Sequence, residues 1–247
     1  NQYYSTKAIM NDLLLKAIAD NLPFVIYRKP NELSCSGMFQ KGSQLNITEK
    51  LNKSCFVFAP FNGEKKIVFY PEECQLVKHN YDLDITFSED EITLENESIN
   101  KDFHVNLVSK GIAAIKEEKL EKVVLSRKEE VFIDNKKYQI YFERFLVKYP
   151  TAFVYWFYHP KIGMWMGATP EQLIKINDKK LQTVSLAGTM LNAGKDLRTI
   201  VWGEKEINEQ QVVTNFIINA LNPFSKNITK SESYTYKAGS LLHIKTD

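Results

Sequence analysis

The stretch "EKVVLSR", residues 121–127, decides how the second half of this chain is read. Val123, Val124 and Leu125 form a β-branched and apolar run that predicts a buried strand. Lys122 stands at the entrance of that strand, where an apolar side chain would cost less. A lysine at a strand start ordinarily snorkels to water. A lysine serving as a base near neutral pH needs its ammonium destabilised by roughly 4 kcal/mol, which burial and nearby cations supply and neighbouring carboxylates oppose. The choice between these readings rests on the other polar residues that packing alone would not place.

Around this stretch the periodicity is clear. Before it, "KDFHVNLVSKGIAAIKEE" (101–118) sets Val105, Val108, Ile112 and Ile115 on one helical stripe, with lysines and glutamates opposite. After it come an amphipathic helix in "YQIYFERFLVKYP" (138–150) and a strand-rich block, "TAFVYWFYHPKIGMWMGA" (151–168). "EQLIKINDKKLQTVSL" (171–186) reads as two strands joined by a polar turn at 177–180, and "EKEINEQQVVTNFIINAL" (204–221) as a helix of about five turns. Nearer the start, Met10, Leu13, Leu14 and Ala17 repeat at helical spacing, with Asn21 and Pro23 as a stop. The short runs "FVIYRKP", "SCFVFAPF" and "KKIVFYP" then predict successive antiparallel strands. Strands and helices are grouped rather than strictly alternating, so the expected class is α+β, in one continuous domain over 1–247. The final "LLHIKTD" stops inside what reads as a regular element, so the C-terminus is expected to be a truncation.

Composition limits the partners. The chain has 247 residues, 44% hydrophobic and 25% charged, enough for a sizeable core. Its net charge of +2 offers no strong field for nucleic acid or an anionic membrane. Cys35, Cys55 and Cys74 are odd in number and far apart, which speaks against a disulfide framework or a zinc site and for a reducing cytoplasm. No apolar run reaches the roughly 18 residues of a membrane span, and the first residues lack a signal-peptide pattern.

Several polar residues remain for function. Glu209 shares a helical stripe with Val213, Phe216 and Ala220, so its carboxylate needs a cation. Lys205, one turn earlier, offers an ordinary i,i+4 pair; a hard metal such as Mg²⁺ is the other candidate. In "GATPEQL" (167–173), Thr169, Pro170 and Gln172 have the pattern of a capping box, which would leave Glu171 facing the positive end of a short helical turn. A catalytic acid there needs burial that outweighs the dipole. "SLAGTM" (185–190) places Gly188 and Thr189 at a strand end, as a plain turn or as a carboxylate cradle. Among the histidines, His79, His104 and His159 are expected at the surface or at strand edges, and with His243 they show no metal-ligand spacing. Metalloprotease, serine-hydrolase, P-loop and dinucleotide-binding signatures are all absent.

Taken together, "EKVVLSR", "MGATPEQL", "VSLAGT" and "EKEINEQQVV", in this order and separation, resemble the chorismate-binding enzymes from about Asp102 onward, most closely the isochorismate synthases. The resemblance implies an anthranilate synthase component I-like α+β fold, with large antiparallel sheets flanked by helices. It makes residues 1–100 a strand-rich N-terminal part and 101–247 the start of a catalytic core. It implies that Lys122 is the base activating water, that Glu171 is the acid protonating the departing hydroxyl, and that Gly188 and Thr189 contact a substrate carboxylate. It further implies that Glu209 binds Mg²⁺ and that His243 lies near the substrate ring. Ammonia-using branches carry glutamine where Lys122 stands, and one aminodeoxychorismate branch carries lysine where Ala187 stands, so water is the expected nucleophile.

Two departures accompany the likeness. Gln210 follows the metal glutamate, where the family usually has histidine. A further hundred or so residues, with a second metal glutamate, a glycine-rich carboxylate loop and an Arg/Tyr motif, are expected after Asp247. The expected activity is a cytoplasmic, monomeric, Mg²⁺-dependent isochorismate synthase acting on chorismate, without nucleic-acid or membrane partners, and feeding menaquinone or a catechol siderophore. The alternatives are a salicylate synthase, which adds pyruvate elimination, and a non-catalytic fragment of the same fold.

Overall fold

The computed structural model describes residues 6–63, 65–81, 97–194, 196–225 and 227–247. In chain order the elements are α1 (Thr6–Ala19), β1 (Phe24–Arg28), β2 (Ser34–Gln40), β3 (Ile47–Thr48), β4 (Phe56–Phe58), β5 (Lys66–Phe69), β6 (Cys74–Asn80), α2 (Glu97–Lys116) and α3 (Tyr138–Lys148). There follow β7 (Phe153–His159), β8 (Gly163–Thr169), β9 (Lys175–Asn177), β10 (Lys180–Gln182), β11 (Ser185–Leu191), α4 (Glu204–Leu221), β12 (Tyr234–Ala238) and β13 (Leu241–Thr246). Their contacts divide into two compact units, one drawn from residues 1–87 and 136–170, the other from 88–135 and 171–247.

The first unit is built on a five-stranded antiparallel sheet, ordered β6-β2-β1-β7-β8. Strand alternation gives it two apolar faces. Phe24, Ile26, Val154 and Trp156 pack with Met10, Leu14 and Ala17 of α1 and Phe142 and Leu146 of α3. Val25, Met38 and Phe157 pack on the opposite side with Ile67 and Phe69 of the small β3-β5-β4 sheet. Helix α1 ends where the sequence stop predicts: Asn21 takes a left-handed conformation (φ 55°) and the Leu22 N–H returns to the Ala17 carbonyl at 2.8 Å.

Among the described residues, three polar ones are buried in this unit: Arg28, Gln40 and His159. Arg28 is only 1% exposed and donates to the carbonyls of Leu146 (2.7 Å) and Tyr149 (2.6 Å), capping the C-terminal end of α3 with a cation. His159, expected at the surface or a strand edge, is instead 1% exposed. Its Nδ1 accepts from the Lys161 N–H, so Nε2 carries the proton toward the Gln44 carbonyl. Both ring nitrogens are therefore occupied in the neutral form, which burial favours by lowering the pKa. His79 does lie on the edge strand β6, and His104 is half-buried on α2.

The second unit contains α2, α4, the β9-β10 hairpin and a three-stranded sheet ordered β11-β13-β12. Asp178 and Lys179 form the hairpin turn with φ of 46° and 69°, within the polar turn predicted from the sequence. Helix α2 forms as expected but covers a different stripe: Val105, Ile112 and Ile115 are exposed, whereas Leu107, Val108, Gly111 and Ala114 are partly or fully covered.

The strand predicted at 121–127 does not form; residues 122–134 carry no regular structure, and Val124 is 82% exposed. A strand gains its stability from a ladder and from cross-strand neighbours, and no described strand pairs with this stretch. Gly111 anchors it instead. A Cβ at that position would lie 3.2 Å from both the Val123 Cγ1 and the Leu125 Cδ1, so only a bare helix surface lets these two side chains settle on α2. The alternation that puts residues 123 and 125 against α2 leaves Lys122 to reach α4.

Arg28→Ala is expected to destabilise the chain by about 3 kcal/mol, because it opens a cavity and strands one buried and one partly buried carbonyl. Chemical unfolding measures this, and a loss below about 1 kcal/mol would exclude the capping role.

Candidate active site

Lys122 meets Glu209. The ammonium donates to the carboxylate Oε1 at 2.9 Å, joining residues 87 positions apart, with side chains 21% and 34% exposed. The predicted i,i+4 pair does not form; Lys205 lies 3.5 Å from Glu206 instead and acts on Glu209 only through its charge. The Gly188 N–H also donates to the Glu209 carboxylate. Burial raises the Glu209 pKa, but the hydrogen bond and charge of Lys122, the Gly188 amide and the charge of Lys205 outweigh it. The carboxyl therefore lies below its ordinary value and is ionised near neutral pH.

Gly188 reaches α4 because of a local break in the sheet. The β11–β13 register shifts between Ala187 and Met190, and Gly188 sits there with φ +71°. A side chain would be strained at this φ and would meet the Glu206 Cβ at 3.2 Å. The bulge turns the Gly188 carbonyl to the His243 Nδ1 at 2.8 Å, and the Thr189 hydroxyl lies 3.3 Å from the same nitrogen. A carbonyl only accepts, so Nδ1 carries the proton and the Nε2 of the neutral ring is an acceptor. Lys122, Glu209, Gly188, Thr189 and His243 thus form one connected series of contacts.

Glu171 is not linked by the hydrogen bonds just described. It is exposed, in residues 170–174, which carry no regular structure, so the helical turn expected from the capping-box pattern is absent. This segment lies beside 182–183: the Thr183 hydroxyl donates to the Leu173 carbonyl at 2.7 Å, and the Gln172 amide approaches the Gln182 carbonyl at 3.5 Å. Those contacts tie the segment to residues 182 and 183, and no helical turn forms there.

The stripe of α4 that faces the sheet also differs from the expected one. Phe216 is 73% exposed, whereas Gln210 and Thr214 are buried at 4% and 5%. The Gln210 amide nitrogen lies 2.8 Å from the Ser185 hydroxyl and 2.9 Å from those of Thr214 and Thr246; Ser185 and Thr214 are themselves 2.7 Å apart. This polar knot ties α4 to β11 and β13 one residue from Glu209. Apolar periodicity does not reveal it; the signal is the set of small hydroxyl residues at inward strand positions.

The matched region fits this architecture: residues 32–247 match the family described as chorismate binding enzyme. The chain belongs to the chorismate-binding enzymes. The match reaches back well before Asp102, where the motif resemblance begins. Among solved structures, this chorismate-binding enzyme is similar to MenF, the menaquinone-specific isochorismate synthase from Escherichia coli. The two are 12% identical with a TM-score of 0.62, over 91% of this chain and 63% of that one. At this identity the likeness is one of fold, and it agrees with the expected α+β class. The chain therefore spans less than two thirds of that structure's length. Comparison with the curated proteins gives no match.

Among the described residues, no group of three or more His, Cys, Asp or Glu gathers into a cage for a metal. Mg²⁺ does not require one, since it binds through one or two carboxylates together with water and substrate oxygens. Glu209, ionised and partly open to solvent, fits that mode. No described helix is long and apolar enough to cross a membrane.

Replacing Gln210 with Leu is expected to cost about 2 kcal/mol of stability, since three buried hydroxyls lose a shared donor. Unfolding of this variant beside Gln210→Asn measures the effect, and an unchanged midpoint in both would show that the knot does not hold α4.

Proposed function

We propose that this chorismate-binding enzyme is an isochorismate synthase, acting on chorismate with Mg²⁺. The observation that supports the reading best is the Lys122–Glu209–Gly188 contact, which joins three of the four sequence motifs at one place. Lys122 takes a proton from water, and the resulting hydroxide adds to the chorismate ring. Glu171 gives a proton to the hydroxyl that departs as water, so atoms and charge balance and the net change is an isomerisation. Gly188 and Thr189 hold a substrate carboxylate, with His243 beside the ring. Glu209 would hold Mg²⁺, which supplies positive charge to a dicarboxylate substrate.

Water rather than ammonia is the nucleophile, in keeping with Lys122 and with Ala187, which is 8% exposed and leaves the start of the bulge without a second lysine. The protein works in the cytoplasm, and its product enters menaquinone or catechol siderophore synthesis.

The test is product analysis with chorismate and Mg²⁺ on the full-length protein. Isochorismate alone is expected, with Lys122→Ala lowering kcat at least about a hundredfold. Salicylate and pyruvate as products would overturn the isomerase reading. Binding of chorismate without turnover would leave only the ligand-binding fold, and an unchanged kcat in Lys122→Ala would remove that residue from the chemistry.

A further inference from the structure

The contact that supports this function also poses a problem for it: the proposed base donates its proton to the proposed metal ligand. We infer that Lys122 is the resident counter-ion of Glu209, that its ammonium and a divalent cation compete for the same carboxylate, and that ion binding releases Lys122 toward the substrate. This inference rests on the metal reading of Glu209 given above.

The geometry carries the argument. The Lys122 Nζ lies 2.9 Å from the Glu209 Oε1, and the Gly188 N–H also donates to the carboxylate. The pair is partly withdrawn from water, with side chains 21% and 34% exposed, so its attraction is less screened than that of a surface pair. Among the described residues no second ion pair reaches Glu209: Lys205 is 84% exposed, lies 3.5 Å from Glu206 and acts on Glu209 only through its charge. An ion approaching Glu209 must displace the ammonium or share one carboxylate with it, and the two positive charges repel.

Lys122 can move. It belongs to a stretch without regular structure whose fixed points are Val123 and Leu125 on the Gly111 surface of α2, and four rotatable side-chain bonds lie beyond its Cα. Displacement therefore needs no change in α4 or the sheet. One event would occupy the metal position and free the amine, so that the base is withheld while the carboxylate has no ion.

Binding of Mn²⁺ alone to the full-length protein, followed by the electron paramagnetic resonance signal of the free ion, tests this. Lys122→Met should bind Mn²⁺ about five- to tenfold more tightly than the wild type, as expected when a partly exposed competing charge is removed. Lys122→Arg, which keeps the charge, should bind with wild-type affinity, and Glu209→Gln should lose at least about tenfold in either background. Equal or weaker binding by Lys122→Met, with Glu209→Gln still defective, overturns the competition and leaves Glu209 as a ligand. Undiminished binding by Glu209→Gln overturns both the competition and the metal reading.

Discussion

An ammonium and a carboxylate contributed by residues 87 positions apart meet at 2.9 Å, and the second unit is arranged so that they can. Each partner is held from behind by a different device. Lys122 is placed by the absence of a side chain at Gly111, which seats Val123 and Leu125 on α2. Glu209 is placed by the hydroxyl knot around Gln210, which fixes α4 on β11 and β13. The Gly188 bulge links Glu209 to His243, with its N–H on the one and its carbonyl on the other.

These devices share a feature: the site is positioned by polar and steric detail instead of apolar bulk. The first unit shows the opposite economy, with apolar clusters on both faces of one sheet. In the second unit the best-buried residue of α4 is a glutamine. A hydrogen-bond knot is more selective in register than a greasy contact, because sliding α4 along the sheet would leave several buried hydroxyls unmatched at once. Such selectivity suits a surface that must present one carboxylate to one cation. At the centre of the knot Gln210 is an amide, which needs no proton exchange to keep its donors.

Much of the fold was legible in the sequence, for physical reasons that can be named. Helices α1, α3 and α4 and strands β1, β4, β5 and β7 to β10 follow from local periodicity and turn chemistry, which act within a few residues. The strand expected at 121–127 failed because a ladder partner is a non-local property that no run of valines guarantees. The capping-box pattern after Thr169 failed for a related reason: contacts with residues 182 and 183 outweigh a local preference. The apolar stripes of α2 and α4 do not coincide with their buried faces, because Gly111, Gln210 and Thr214 mark the faces actually covered. Of the candidate site, the motifs nominate Lys122, Glu209, Gly188, Thr189 and His243, which lie together here, and Glu171, which the contacts described do not join to them. The pairing of Lys122 with Glu209, in preference to Lys205 with Glu209, required coordinates.

The account stands on that pairing, and a double-mutant cycle measures it without reference to substrate or metal. Unfolding free energies of the wild type, Lys122→Met, Glu209→Gln and the double variant should give a coupling of about 1 kcal/mol, at the upper end for a partly exposed pair. A coupling indistinguishable from zero would mean that the two side chains do not meet in solution, and the arrangement described here would be wrong.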